Sequence, residues 1–312
     1  MRRVFRISLL TGLVSVAAGC GSGPKPAAVP VTDRALAQNA SAARSAFDLG
    51  RYEQAVKLYG LARDHARMAD DPRAIGNMSY NLAMSLIAMG RHEEALTALD
   101  EAESEIGRAG GGLADVRLVQ AEALGALGRP EEAAARAGRV LADRHVQTGP
   151  LHRAGAALIL GRLACERGDP AEAERHLAAA RAAAGGDANA IAAAAAGLEG
   201  RIRMIRSLPG EAAVWFDCQA DLLRGGRQFS AMADALALAG RAYSDAGRPA
   251  DAADRQYRAA RARLGQDRLP AAAELIGAAV RSAEKAGDPD LIRKVGALEA
   301  EIKRRGGNEL NH

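Results

Sequence analysis

Residues 77–102 read NMSYNLAMSLIAMGRHEEALTALDEA. Leu82, Leu86 and Met89 fall at i, i+4 and i+7, the spacing of one helix face. Gly90 then stops the helix, because glycine enters the left-handed conformation past a helix end without a Cβ clash. A second helix follows at once and carries Ala95, Leu99 and Ala102. The stretch therefore encodes two helices joined by a tight turn.

The same signature recurs along the chain. It reads Gly50-Arg51-Tyr52 with Ala55, Gly90-Arg91-His92 with Ala95, and Gly128-Arg129-Pro130 with Ala133. It continues as Gly168-Asp169-Pro170 with Ala173, Gly247-Arg248-Pro249 with Ala252, and Gly287-Asp288-Pro289 with Ile292. A degenerate copy stands at Ser207-Leu208-Pro209 with Ala212, so the period stays near 40 residues. Proline in the first turn suits a position whose N–H has no helical partner, and Asp169 and Asp288 stand ready to cap. A fixed period of this size predicts stacked units in place of one globular core.

Seven residues before every turn but the last stands a small residue: Ala43, Ala83, Ala121, Gly161 and Gly240, with Gly200 in the degenerate copy. With alanine five residues after the turn, these positions let two antiparallel helices approach closely. Large and small residues then alternate as Tyr59/Ala62, Leu99/Ala102 and Leu177/Ala180. The pattern resembles the tetratricopeptide (TPR) repeat over about residues 36 to 300, with a period near 40 instead of the usual 34. The resemblance implies an all-α fold: a right-handed superhelical solenoid of about seven helix pairs, some fourteen helices. Repeat five is weak, with Arg203 where an apolar residue is expected. Repeat seven carries Val280, Ile292, Gly296 and Glu299 at signature positions, and with the polar ending EIKRRGGNELNH it reads as a solubilising cap.

The chain starts MRRVFRISLLTGLVSVAAGC: a basic segment, an apolar stretch from Ile7 to Ala18, then small residues before Cys20. The apolar stretch is too short to span a bilayer and fits a signal segment. Small residues directly before a cysteine resemble a bacterial lipobox, which implies lipidation of Cys20; an ordinary cleaved signal or a chance match is the alternative. The Gly/Pro-rich GSGPKPAAVP follows as a tether. The expected organisation is 1–19 signal peptide, 20–33 tether, 34–305 solenoid and 306–312 polar tail. Gly21 is not the Asp that resembles an inner-membrane retention signal, which in a Gram-negative cell favours the outer membrane, facing the periplasm.

The formal charge of +4 includes Arg2, Arg3 and Arg6, and no acid precedes Cys20, so the remainder is near neutral. With 3% aromatic residues for base stacking, nothing points to nucleic acid. Of the remaining cysteines, Cys165 falls on the first helix of repeat four and Cys218 on the second helix of repeat five, which are not nearest neighbours in a TPR stack. Two half-buried free thiols are expected, since a disulfide needs Cα atoms within about 7 Å.

Catalytic motifs are missing. His92-Glu93-Glu94 begins like a zinc-protease motif, but Leu96 occupies the second histidine position. His145 and His152 straddle Gly149-Pro150 and share no helical turn. No spacing suits a metal, and no phosphate loop, dinucleotide fingerprint or nucleophile elbow is present. Gly110-Gly111-Gly112 reads as a loop, and the acidic residues read as solvated helix faces. No catalytic, metal or cofactor site is expected.

One polar position is periodic. Six residues before each turn stand Arg44, Met84, Glu122, Arg162, Arg201, Arg241 and Arg281. In TPR-like packing this position faces the concave groove. Arg162, Arg201, Arg241 and Arg281 are the candidate partner-binding residues, suited to carboxylates of an extended peptide or envelope protein. The competing reading is a set of pairs within each helix, with Glu166, Asp245 and Glu284 at the right spacing. Arg201 has Ile205 at i+4 and lacks such a partner, which makes it the leading residue. The expected function is a non-enzymatic, lipid-anchored scaffold that assists assembly of an envelope complex. A sensor or carrier for a small acidic ligand or peptide is the second reading, and a closed pocket would favour it.

Overall fold

The computed structural model describes residues 31–309. Among them are fourteen α-helices, one short 3-10 turn and no strand. The signal-like segment and Cys20 lie outside the described residues. The chain divides into two compact units, the division falling in sequence between His152 and Arg153.

The first unit holds α1 (Val31–Asp48), α2 (Tyr52–Met68), α3 (Pro72–Ala88), α4 (His92–Arg108), α5 (Ala114–Ala126) and α6 (Pro130–Ala142). The second begins within α7 (Pro150–Glu166) and continues through α8 (Pro170–Ala184), α9 (Ala188–Ile205), α10 (Pro209–Gly225) and α11 (Phe229–Asp245). It ends with α12 (Pro249–Leu264), α13 (Leu269–Ala286) and α14 (Pro289–Glu309). Even-numbered helices start at residues 52, 92, 130, 170, 209, 249 and 289, which places the degenerate copy on the period. The residues beyond the usual 34 go into the helices, most of them 16 to 18 long, because many of the turns are only three residues. The third pair is the exception: α5 and α6 have 13 residues each.

The turns at Gly50, Gly90, Gly128, Gly168, Ser207 and Gly247 are Schellman motifs. After α3, the Gly90 N–H bonds the Ile87 carbonyl and the Arg91 N–H bonds the Leu86 carbonyl, both at 2.9 Å. Gly90 has φ +79°, and Ser207 takes the same left-handed backbone at +58°. Four of the turns that leave second helices also use this geometry, at Asp70, Gly110, Arg227 and Asp267.

The hairpin interfaces are built from the predicted small residues. Ala43, Ala55, Ala83, Ala95, Ala121, Ala133, Ala173, Ala212 and Ala252 are all fully buried. Tyr59, Leu99 and Leu177 are buried as the large partners, each three residues before a fully buried alanine. The last pair departs from this plan. With Val280 and Ile292 in place of two small residues, Ile292 is pushed out to 41% exposure. Val295, Leu298 and Ile302 carry the packing of α14 in its stead, within a cluster that includes Ala279 and Ala283 of α13 and Ala253 and Ala260 of α12.

Candidate functional site

The four candidate arginines lie on first helices of the second unit, one per repeat. In the first three, each directly follows the small residue at the hairpin contact. One residue is about 100° of helix rotation, so the guanidinium projects away from that contact. Arg162 and Arg201 are half-buried, whereas Arg241 and Arg281 are exposed.

The expected local pairs form only once. Arg162 bonds Glu166 at 2.9 Å across one helical turn. Arg241 has no ion pair with Asp245, nor Arg281 with Glu284, and neither arginine carries an ion pair among the described residues. Arg201, with Ile205 at i+4, is nevertheless not free. Besides having a partner, its charge acts on Cys165 of the preceding first helix. Arg162 and Arg201 thus share one neighbourhood around Cys165 and Glu166. Burial pushes the Cys165 thiol up to about 11, the Arg201 charge opposes this, and Glu166 adds to it. The open members of the row are therefore Arg241 and Arg281.

Both remaining cysteines are free, as expected, but Cys218 is exposed and only Cys165 is half-buried.

The acidic residues are not simply solvated. In the first unit Glu101 of α4 accepts from Arg63 at 3.2 Å and from Arg67 at 3.0 Å, both on α2. It also accepts from the buried Ser79 hydroxyl at 2.8 Å. Glu103 accepts from Arg117 at 2.9 Å and from Arg136 of α6 at 2.7 Å. In the second unit Asp217 of α10 accepts from Arg255 of α12 and from the Tyr243 hydroxyl at 2.9 Å. Asp217 and Arg255 are 38 residues apart, as are Arg63 and Glu101. These carboxylates tie α2 to α4, α4 to α6 and α10 to α12, and so stitch those neighbouring repeats together. Only the repeat period itself could have signalled them, through opposite charges one repeat apart.

His145 and His152 hold the loop before α7. The Nδ1 of each accepts a backbone N–H, from Gln147 and Gly149. That leaves Nε2 as the protonated nitrogen, facing the Gly110 carbonyl in His145 and Asp115 in His152. Among the described residues no group of three or more His, Cys, Asp or Glu is placed to hold a metal, and no helix is long and apolar enough to cross a membrane.

The tetratricopeptide repeat family model matches residues 79–101, 114–139 and 154–179. No curated protein matches the sequence. Among solved structures, the apo form of RapI is 12% identical, with 81% of this chain and 98% of that chain covered and a TM-score of 0.54. The apo form of the quorum sensor NprR from B. thuringiensis is 11% identical, with 80% and 77% covered and a TM-score of 0.54. PilW, a widely conserved type IV pilus biogenesis factor, is 19% identical, with 73% and 92% covered and a TM-score of 0.50. At these identities the likeness is one of fold: TPR-like helix pairs.

Proposed function

We propose that this chain is a non-enzymatic protein-binding scaffold, lipid-anchored through Cys20 in a bacterial envelope, where it assists assembly of an envelope complex. An outer-membrane protein, a pilus or a secretion apparatus are the assemblies in view, with the scaffold on the periplasmic side of the outer membrane. The partner offers an extended, acidic segment. The observation that carries this reading is the row of first-helix arginines ending in two exposed members, Arg241 and Arg281, that have no ion pair among the described residues. A guanidinium with no carboxylate to release meets an incoming one at no exchange cost. Helices packed about 10 Å apart would offer one such contact for about every third residue of an extended chain.

The test replaces Arg241 and Arg281 together by Ala in the membrane-anchored full-length protein. Site-specific crosslinking of envelope fractions and thermal unfolding are then compared with the parent. Crosslinked partner should fall while the melting temperature holds, because neither side chain braces its helix. Undiminished crosslinking would remove these arginines from the binding surface.

A further inference from the structure

Two recesses lie side by side in the second unit, and no member of the first-helix arginine row lines either. One, of about 470 Å³, is floored by Phe229, Met232 and Leu236 of α11 and walled by Tyr257 of α12. The other, of about 600 Å³, lies between α12 and α14 over Leu264, Ala297 and Leu298. They share Tyr257 and Arg261. Phe229 is 52% exposed, a large aromatic surface left open to solvent.

The rim is cationic. Arg224 and Arg258 edge the first recess, and Lys294 and Arg305 edge the second. Each already has an acidic neighbour: Asp221 for Arg224, Asp254 for Arg258 and Lys294, and Glu301 for Arg305. The four cationic side chains are all 36% exposed or more, and ion pairs so placed are weak and readily exchanged. Lys294 also sits over the Tyr257 ring, 4.5 Å from its centre. Arg261, at the seam, is exposed and has no ion pair among the described residues.

From this arrangement we infer a second interaction surface, which takes an acidic peptide segment bearing a bulky apolar residue. The apolar side chain enters a recess against Phe229 and Tyr257, and a neighbouring carboxylate pairs with Arg261. Charge complementarity selects the acidic flank and the aromatic floor selects the apolar anchor. Concavity favours a peptide over a membrane, since a lipid surface is flat and would leave both recesses unfilled. The inference rests on the scaffold reading only in taking a protein segment as ligand, because it uses none of the first-helix arginines.

A display library of random 12-residue peptides, selected on the full-length chain, tests it. Enriched peptides should combine Asp or Glu with a Leu, Phe or Trp. Their affinity should fall at least ten-fold in Arg261→Glu and in Phe229→Ala and should be unchanged in the Arg241→Ala/Arg281→Ala double variant. Both test positions are exposed, so melting temperatures of all variants should match the parent. No enrichment of such peptides, or enriched peptides indifferent to Arg261→Glu, overturns the inference. Peptides lost only in the Arg241/Arg281 variant also overturn it, while supporting the first-helix row. Binding of phosphatidylglycerol vesicles through Arg261 with no peptide selected would make the surface a lipid contact and likewise overturn it.

Discussion

The Phe216 ring of α10 occupies the space that a β-carbon on Gly200 of α9 would need: such a carbon would lie 2.6 Å from the ring's Cε1. Phe216 is 2% exposed and has no solvent side to retreat to. Gly200→Ala should therefore cost about 1–3 kcal/mol through overpacking. Phe216→Leu in the same chain should recover part of that loss, because the two changes act on one contact. Denaturant unfolding of the single and double variants checks the coupling, and strictly additive losses would refute it. Hydrogen exchange should show the damage concentrated near α9 and α10, with repeats far along the chain keeping most of their protection.

Ser207 holds a left-handed backbone at φ +58° in the turn where other copies have glycine. Residues with a Cβ pay roughly 1–2 kcal/mol for this conformation, while glycine pays in unfolded-state entropy. Ser207→Gly should stabilise the protein by about 0.5–1 kcal/mol, read as a rise in the denaturant midpoint with an unchanged slope. A drop in midpoint would mean that the serine contributes something the turn geometry does not reveal.

Acid should loosen the first unit. Burial pushes Glu101 up, but bonds from Arg67 and Ser79 and the charge of Arg63 outweigh it and hold the carboxyl below its ordinary value. Glu103 is likewise raised by burial and lowered further by bonds from Arg117 and Gln120 and by the Arg136 charge. Asp143 is lowered first by the His145 backbone N–H. A carboxyl with a depressed folded pKa stabilises above its unfolded value, about 4. That contribution is lost as pH falls through the folded value. Stability of α2–α6 should thus decline below about pH 4. Glu101→Gln should be about 1–3 kcal/mol less stable at pH 7, since it leaves Arg63 and Arg67 with a poorer acceptor. The gap to the parent should close in strong acid, and a gap independent of pH would exclude Glu101 as its source.

Cys20→Ser should release the protein from membranes or block its maturation, because several acyl chains hold a lipoprotein far more firmly than one. Mass spectrometry of the parent protein should find lipid on Cys20. A membrane fraction lacking that modification would refute the anchor.

The sequence by itself determined the repeat. Turn glycines, prolines just after them and paired small residues act within one hairpin, so their effect is written in local spacing, and the fully buried Ala83 and Ala95 follow from it. Even Ser207 could be placed, because the period supplied what the residue type withheld. Tertiary structure decided which charges are engaged. Arg241 and Asp245 have ideal helical spacing and form no ion pair, while Arg255 reaches Asp217 one repeat away. Arg201 has a partner although Ile205 stands at i+4. The reason is reach. A long arginine side chain samples neighbours on its own helix and on the next repeat alike, and burial between helices decides among them. That burial, like the two recesses around Arg261, exists only once repeats are stacked.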